Sequence, residues 1–164
     1  MARNQIFSPE RVHRMLDRLA FEVIERNRGA ENLEIIGIRT RGAALADELA
    51  KRIGTIEKRN FKSNRVDVHV EGQSVDTSQL HADITDRDLV LVDDVIFTGR
   101  TAHAALDAVV SYGRPRSIQL LVLIDRGHRE YPIHPDYSGR VIPTKHKEQV
   151  VVEVNDTFGI YLEE

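Results

Sequence analysis

No cysteine occurs among the 164 residues, so disulfides, thiolate zinc sites and cysteine nucleophiles are excluded. That absence suits a reducing compartment. Aromatic residues make up only 5% of the chain, which argues against an extended base-stacking platform. Charge of one sign is not in excess: 23 Lys and Arg stand against 26 Asp and Glu. No global field therefore demands nucleic acid as a partner, although a local basic face stays open because net charge does not describe distribution. No run approaches the roughly 18 apolar residues of a membrane span, and residues 1–11 are too polar for a secretory leader. The expectation is a whole chain in the cytoplasm with no membrane partner. The seven histidines are scattered without a helix-spaced pair, so a zinc site built by protein alone is not expected.

What is present has the composition of one ordinary domain spanning residues 1–164, with 41% apolar and 30% charged residues. Ser8-Pro9 reads as a helix start, with serine at the N-cap and proline at the first helical position. Val12, Leu16, Leu19 and Val23 follow with the spacing of one helical face, and Asn27-Arg28-Gly29 closes the helix on a glycine cap. Residues 33–38 read as a strand and residues 43–52 as a second amphipathic helix. Residues 66–70 alternate like a half-exposed strand, and the polar stretch 71–86 reads as a long loop. Leu89-Val90-Leu91-Val92 is apolar throughout, as a strand buried on both faces is. A helix is expected over 99–112, closed by Gly113 and Pro115. Another buried strand is expected over 118–124, and a last one over 150–154. The alternation predicts an α/β fold with a parallel sheet covered by helices on both faces. Ligands bind beyond the carboxyl ends of such strands, which directs attention to residues 40–42, 93–101 and 125–130.

The densest chemistry lies in Leu91-Val92-Asp93-Asp94-Val95-Ile96-Phe97-Thr98-Gly99-Arg100-Thr101. Two carboxylates at the end of a buried strand are costly without a partner, and a sugar diol or a hydrated cation would supply one. The short loop that follows places hydroxyls and a glycine at a helix start. There the backbone approaches closely and free N–H groups meet an anion. Diol-binding acids one loop away from a phosphate cradle describe a ribose 5-phosphate site. Thr40-Arg41-Gly42 has a related logic, exposed N–H groups beside an arginine able to fork onto phosphate oxygens, and as a lone tripeptide also fits a surface turn. A dinucleotide oxidoreductase is excluded because Gly37-Ile38-Arg39-Thr40-Arg41-Gly42 lacks the third glycine of that fingerprint. A phospho-acceptor receiver would not explain the loop from Thr98 to Thr101.

The run from Leu91 to Thr101 resembles the fingerprint with which type I phosphoribosyltransferases bind 5-phosphoribosyl 1-pyrophosphate (PRPP). The resemblance implies that Asp93 and Asp94 bind the ribose hydroxyls and that Thr98, Gly99, Arg100 and Thr101 bind the 5-phosphate. It makes Val95, Ile96 and Phe97 part of the PRPP site, and gives Thr40, Arg41 and Gly42 the pyrophosphate. Asp125-Arg126-Gly127-His128-Arg129-Glu130-Tyr131-Pro132-Ile133 narrows the resemblance to the PyrR family of pyrimidine-operon attenuators and uracil phosphoribosyltransferases. So do Ile24-Glu25-Arg26-Asn27, Asp83-Ile84-Thr85-Asp86 and Gly113-Arg114-Pro115 with Ser117-Ile118-Gln119. The implied fold is a single-domain parallel-sheet type I phosphoribosyltransferase with a flexible loop or hairpin after the second strand. The implied reaction joins uracil to PRPP to give UMP and pyrophosphate. Arg41, Asp93 and Asp94 form the implied catalytic set, and Asp125, Arg126, Gly127 and His128 the nucleobase side, where His128 also fits an exposed turn. Mg²⁺ arrives with PRPP rather than on a protein cage, and a homodimer or larger assembly is implied.

The resemblance breaks at Glu71-Gly72-Gln73-Ser74, where relatives carry a Tyr-Arg-Asp-Asp-like stretch at the base of a catalytic loop. If that loop excludes water as lids do, the missing arginine and acids predict slowed or lost transfer with binding retained. The family's second activity is binding pyrimidine-leader mRNA. Arg11, Arg14 and Arg18 lie along one side of the first helix, suited either to RNA phosphates or to a solvated face with Arg18 on Glu22 and Arg14 near Asp17.

Overall fold

The computed structural model describes residues 2–69, 74–154 and 157–164. The chain runs through β1 (Arg3–Phe7), α1 (Pro9–Asn27), β2 (Leu33–Ile38), α2 (Arg39–Glu57), β3 (Ser63–His69) and β4 (Ser74–Asp76). It continues through β5 (Asp88–Ile96), α3 (Arg100–Tyr112), β6 (Ser117–Asp125), β7 (Tyr137–Val141), β8 (Gln149–Val152) and β9 (Ile160–Glu163). Among the described residues the main sheet has the order β4-β3-β2-β5-β6-β7. Its strands are parallel except β4, which folds back antiparallel on β3 through Asp67↔Asp76 and His69↔Ser74. A smaller antiparallel sheet joins the two chain ends in the order β1-β9-β8.

Strand β5 organises the core because its side chains alternate between the two faces. Val90 and Val92 point into the cluster that α1 and α2 cover with Leu16, Leu19, Leu45 and Leu49. Leu89 and Leu91 point the other way, into the cluster beneath α3 with Ala105, Val109 and Ile84. Each such fully buried aliphatic side chain contributes about 1.5–3 kcal/mol, so both faces of the strand are anchored before it reaches Asp93. At the opposite end of β5, Asp88 accepts from Ser117 Oγ at 2.7 Å and from Asn32 at 3.3 Å, and binds the Arg116 guanidinium. The Arg116 hydrogen bond leads in holding this carboxyl down at about 2, against the cost of burial. Its folded pKa lies below the unfolded one, so its stabilisation is present above the ordinary carboxylate range and is lost as pH falls through about 2. Because Arg116 is largely exposed, that stabilisation is on the order of 1–2 kcal/mol.

Several expectations are corrected in detail. Helix α1 starts at Pro9 with Ser8 capping the Arg11 N–H, as expected, but the left-handed residue that closes it is Arg28 (φ 55). Gly29 stands one position later and sends its N–H back to Ile24 O. Helix α2 spans Arg39–Glu57, beginning before residue 43 and ending beyond residue 52, so Thr40, Arg41 and Gly42 are its first turn rather than a loop. Strand β3 starts at Ser63, and Val70, the expected end of that strand, lies outside the described residues. The expected long loop contains β4, giving the hairpin after the second main-sheet strand. Strand β5 continues through both acids to Ile96, and the strand near residue 150 is not the last, because β9 follows. Strands β1 and β7 also stand where no strand was expected. Three of the five β1 residues are exposed, so β1 carries no apolar alternation; its ladder to β9 and the burial of Phe7 in the core hold it, with Arg3 reaching Glu153, Glu163 and the Tyr161 ring.

Candidate active site

A cavity of about 1000 Å³ opens at the carboxyl ends of β2, β5 and β6. It is lined by Arg39, Thr40 and Arg41 from α2, by the whole stretch from Asp93 to Ala102, and by Arg126 and Glu130. The three segments singled out by the strand-end rule thus converge on one space. Asp67 and His69 from β3 also line it, and no sequence signal had pointed to them.

The two acids are organised by their own backbone. Asp93 Oδ1 accepts the Asp94 N–H at 2.9 Å, and Asp94 Oδ1 accepts the Val95 N–H at 2.9 Å. Asp93 is buried. Burial first, and then the charge of Asp94, push its carboxyl well above the usual carboxylate range, while Arg39 pulls in the opposite sense. Gly42 brings α2 against this strand: a Cβ there would stand 2.5 Å from Val92 O and 3.2 Å from Asp93 Cα.

Beyond the strand, Gly99 takes φ 90 as the N-cap of α3 and turns the backbone into the helix. Gly99 has no side chain to cap that end, and the Arg100 N–H reaches Thr98 Oγ1 at 3.3 Å; the N–H groups that follow and the helix dipole favour an anion there. Thr98 is pinned from behind, its carbonyl accepting the N–H groups of Glu130 at 2.9 Å and Tyr131 at 3.0 Å. Across the cavity Arg39 adopts φ 60, uncommon for a side chain of its size, and donates to Thr101 Oγ1 at 3.2 Å. Arg39 is a site residue that sequence reasoning missed, although it adjoins Thr40; its left-handed turn has no sequence signature.

On the nucleobase side only Arg126 of the four residues expected there lines the cavity. Its guanidinium lies 3.9 Å from the centre of the Phe97 ring, donates to Thr144 Oγ1 at 3.0 Å, and reaches Lys145 O at 3.2 Å. Asp125 is engaged by Arg129 and by the Gly127 N–H. His128 contacts Thr144 O, and its ring lies tilted with its centre 4.4 Å from that of His146. These three form the support behind Arg126 rather than the cavity wall.

The arginines of α1 lie elsewhere. Arg11, Arg14 and Arg18 line a separate groove of about 530 Å³ together with Arg140 of β7. Arg18 pairs with Glu22 at 2.8 Å, as one expectation had it, and also donates to Gly139 O at 2.7 Å. Asp17 pairs with Arg52 at 2.8 Å, where Arg14 was expected. Glu71, Gly72 and Gln73, at which the resemblance breaks, lie outside the described residues. No described helix is long and apolar enough to cross a membrane.

Comparison with known proteins agrees with this geometry. The family described as "Phosphoribosyl transferase domain" matches residues 3–156. The chain is 44% identical to the "Bifunctional protein PyrR" of Limosilactobacillus reuteri over 167 residues, covering 95% of this chain and 94% of that protein. It is 44% identical to the protein of the same name from Deinococcus radiodurans, covering 94% of this chain and 89% of that protein. A "Pyrimidine operon regulatory protein" of Lactococcus lactis is 41% identical, covering 97% of this chain and 94% of that protein. Among solved structures, the hypoxanthine phosphoribosyltransferase of Trypanosoma cruzi superposes with a TM-score of 0.79 at 17% identity, covering 97% of this chain and 95% of that one. A hypoxanthine-guanine phosphoribosyltransferase of Bacillus anthracis gives 0.75 at 18% identity, with 98% and 97% covered. At such identities the two structures speak for the fold alone.

Proposed function

The chain belongs to the phosphoribosyl transferase domain family and, within it, to the PyrR proteins, and from that premise we propose that it transfers phosphoribosyl from PRPP to uracil. The products are UMP and pyrophosphate: the bond from ribose C1 to the pyrophosphate oxygen breaks, a bond from C1 to the base nitrogen forms, and the N–H proton of that nitrogen leaves with the pyrophosphate. The observation that carries this reading is the pairing of two strand-end carboxylates, one of them buried, with a glycine-turned helix start one loop away. Asp93 and Asp94 accept from the ribose hydroxyls. Thr98, Gly99, Arg100 and Thr101 hold the 5-phosphate. Arg41 and the first N–H groups of α2 hold the leaving pyrophosphate, with Arg39 beside them. The protein contributes mainly positioning and electrostatic stabilisation of the charge that develops in the transition state.

Among the described residues no group of three His, Asp or Glu side chains gathers to hold a metal on its own. The two adjacent aspartates are hard oxygen donors, and Mg²⁺ commonly binds one or two carboxylates plus substrate phosphates, so the site fits an ion brought in by PRPP. When bound, Mg²⁺ neutralises the departing pyrophosphate. The setting we infer is the cytoplasm, as a homodimer or larger assembly. The test is nucleotide formation from PRPP, Mg²⁺ and each common nucleobase. UMP from uracil alone is expected; product from another base and none from uracil would overturn the assignment of the base.

A second reading is favoured by the groove in which Arg140 of β7 joins Arg11, Arg14 and Arg18 of α1. It fits binding of pyrimidine-leader mRNA through backbone phosphates. Filter binding across a salt series should then show a log–log slope of about −2 to −3, from roughly 0.7 per neutralised phosphate. Arg14→Ala with Arg140→Ala should flatten it by about 1.4, and salt-independent or absent binding would end this reading.

A further inference from the structure

We propose that Arg129 is a positioning residue that locks the phosphate-binding turn to the nucleobase-side loop, so that an anion bound at the turn strengthens binding of the base. The proposal rests on the transferase reading of the same cavity. Arg129 does not line that cavity, and its side chain is only 14% exposed. Its guanidinium reaches three stretches of chain. Nη1 donates to Phe97 O at 2.8 Å, Nη2 to Asp125 Oδ2 at 2.8 Å, and Nε to Ile133 O at 2.7 Å.

Each partner matters to one side of the site. Phe97 immediately precedes Thr98 and carries the ring over which Arg126 lies, so its carbonyl direction sets how the turn enters α3. The other oxygen of Asp125 holds the Gly127 N–H at 3.0 Å, in the left-handed turn (φ 80) that follows Arg126. The Arg129 stem also packs on the turn itself, since a Cβ at Gly99 would meet its Cδ at 3.3 Å. Backbone bonds reinforce the link: Glu130 and Tyr131 donate to Thr98 O, and Arg126 donates to Ile96 O at 3.2 Å.

The shape of the guanidinium makes this a coupling rather than a set of separate contacts. Its five N–H donors lie in one rigid plane. A shift of the Phe97 carbonyl on phosphate binding therefore turns the same plane that holds Asp125, and with it the Gly127 turn behind Arg126. A lysine at this position is a point charge on a flexible stem: it can hold Asp125 or one carbonyl, but cannot fix the angle between them.

Arg129→Lys tests the proposal, with inorganic phosphate and uridine as probes in titration calorimetry. In the wild-type protein saturating phosphate should tighten uridine binding by about 10-fold, within the usual range for coupled sites. In the variant each probe alone should bind within about threefold of wild type, while the coupling falls below about twofold. Coupling retained in the variant, or absent from the wild type, overturns the proposal. So does loss of both single affinities along with the unfolding midpoint, which would mark Arg129 as a residue of the fold only. Should the lysine variant not fold, Arg129→Gln, which can still donate to one carbonyl, takes its place; failure of both to fold also counts against the proposal. A wild-type protein that binds phosphate but prefers another nucleoside contradicts the uracil assignment instead, and the coupling is then read with that nucleoside.

Discussion

Replacing Asp93 and Asp94 together by asparagine is expected to weaken PRPP binding by at least about 100-fold while raising, not lowering, the midpoint of thermal unfolding. The first effect follows from the loss of two charged acceptors for the ribose hydroxyls, since a hydrogen bond to a charged group contributes about 1.5–3 kcal/mol. The second follows from the surroundings of the Asp93 carboxyl. Burial and the neighbouring Asp94 raise the Asp93 carboxyl above its ordinary range. A carboxyl whose folded pKa exceeds its unfolded one binds its proton better in the folded chain, so its ionisation at neutral pH costs stability. Asparagine removes that cost and keeps an oxygen to accept the Asp94 N–H. A gain of 1 kcal/mol corresponds to roughly 2–4 °C for a chain of this length. Calorimetry with PRPP and a thermal melt read the two effects on one sample. Unchanged PRPP affinity in the folded variant would refute the role given to these acids.

Gly42→Ala, the mildest possible addition of a side chain, is expected to lower kcat/KM by about 100-fold and stability by about 1–3 kcal/mol. The new Cβ would stand 2.5 Å from Val92 O and 3.2 Å from Asp93 Cα, and both neighbours are backbone atoms that cannot swing away. Either the first turn of α2 or the end of β5 must move. The two carry opposite ends of the proposed site, the pyrophosphate side and the ribose side. Gly139→Ala is the control, because its Cβ would meet Leu123 O at 2.4 Å, a backbone clash of the same kind outside the cavity. The control should lose stability and keep its kcat/KM once folded. Equal loss of activity in both variants would show that general destabilisation, not the spacing of α2 from Asp93, sets the rate.

The parts of this fold legible in the sequence are those whose residues act locally. Leu89-Val90-Leu91-Val92 betrays β5 because a strand buried on both faces has no polar position to spare, and Gly99 betrays the start of α3 because the turn needs φ 90. Ser8 and Pro9 mark α1 in the same way. What stayed hidden depends on distant partners. Strand β1 is mostly exposed and exists by pairing with β9, in a register that sets Arg3 opposite Glu163. Arg39 gives no local sign that its backbone turns left-handed or that its guanidinium crosses to Thr101. The run of residues 125–130 is visible as a motif, yet the division of labour within it is not. Arg126 faces the cavity, while Asp125 and Arg129 support it from behind through Phe97, which a linear reading places in another segment.

The most direct test of the central claim is titration of the wild-type chain with PRPP in Mg²⁺, with no base present. One saturable site per chain, weakened by removal of Mg²⁺ and competed by UMP, is the predicted result. A folded chain that takes up no PRPP under those conditions would contradict the account of Asp93, Asp94 and the turn from Thr98 to Thr101.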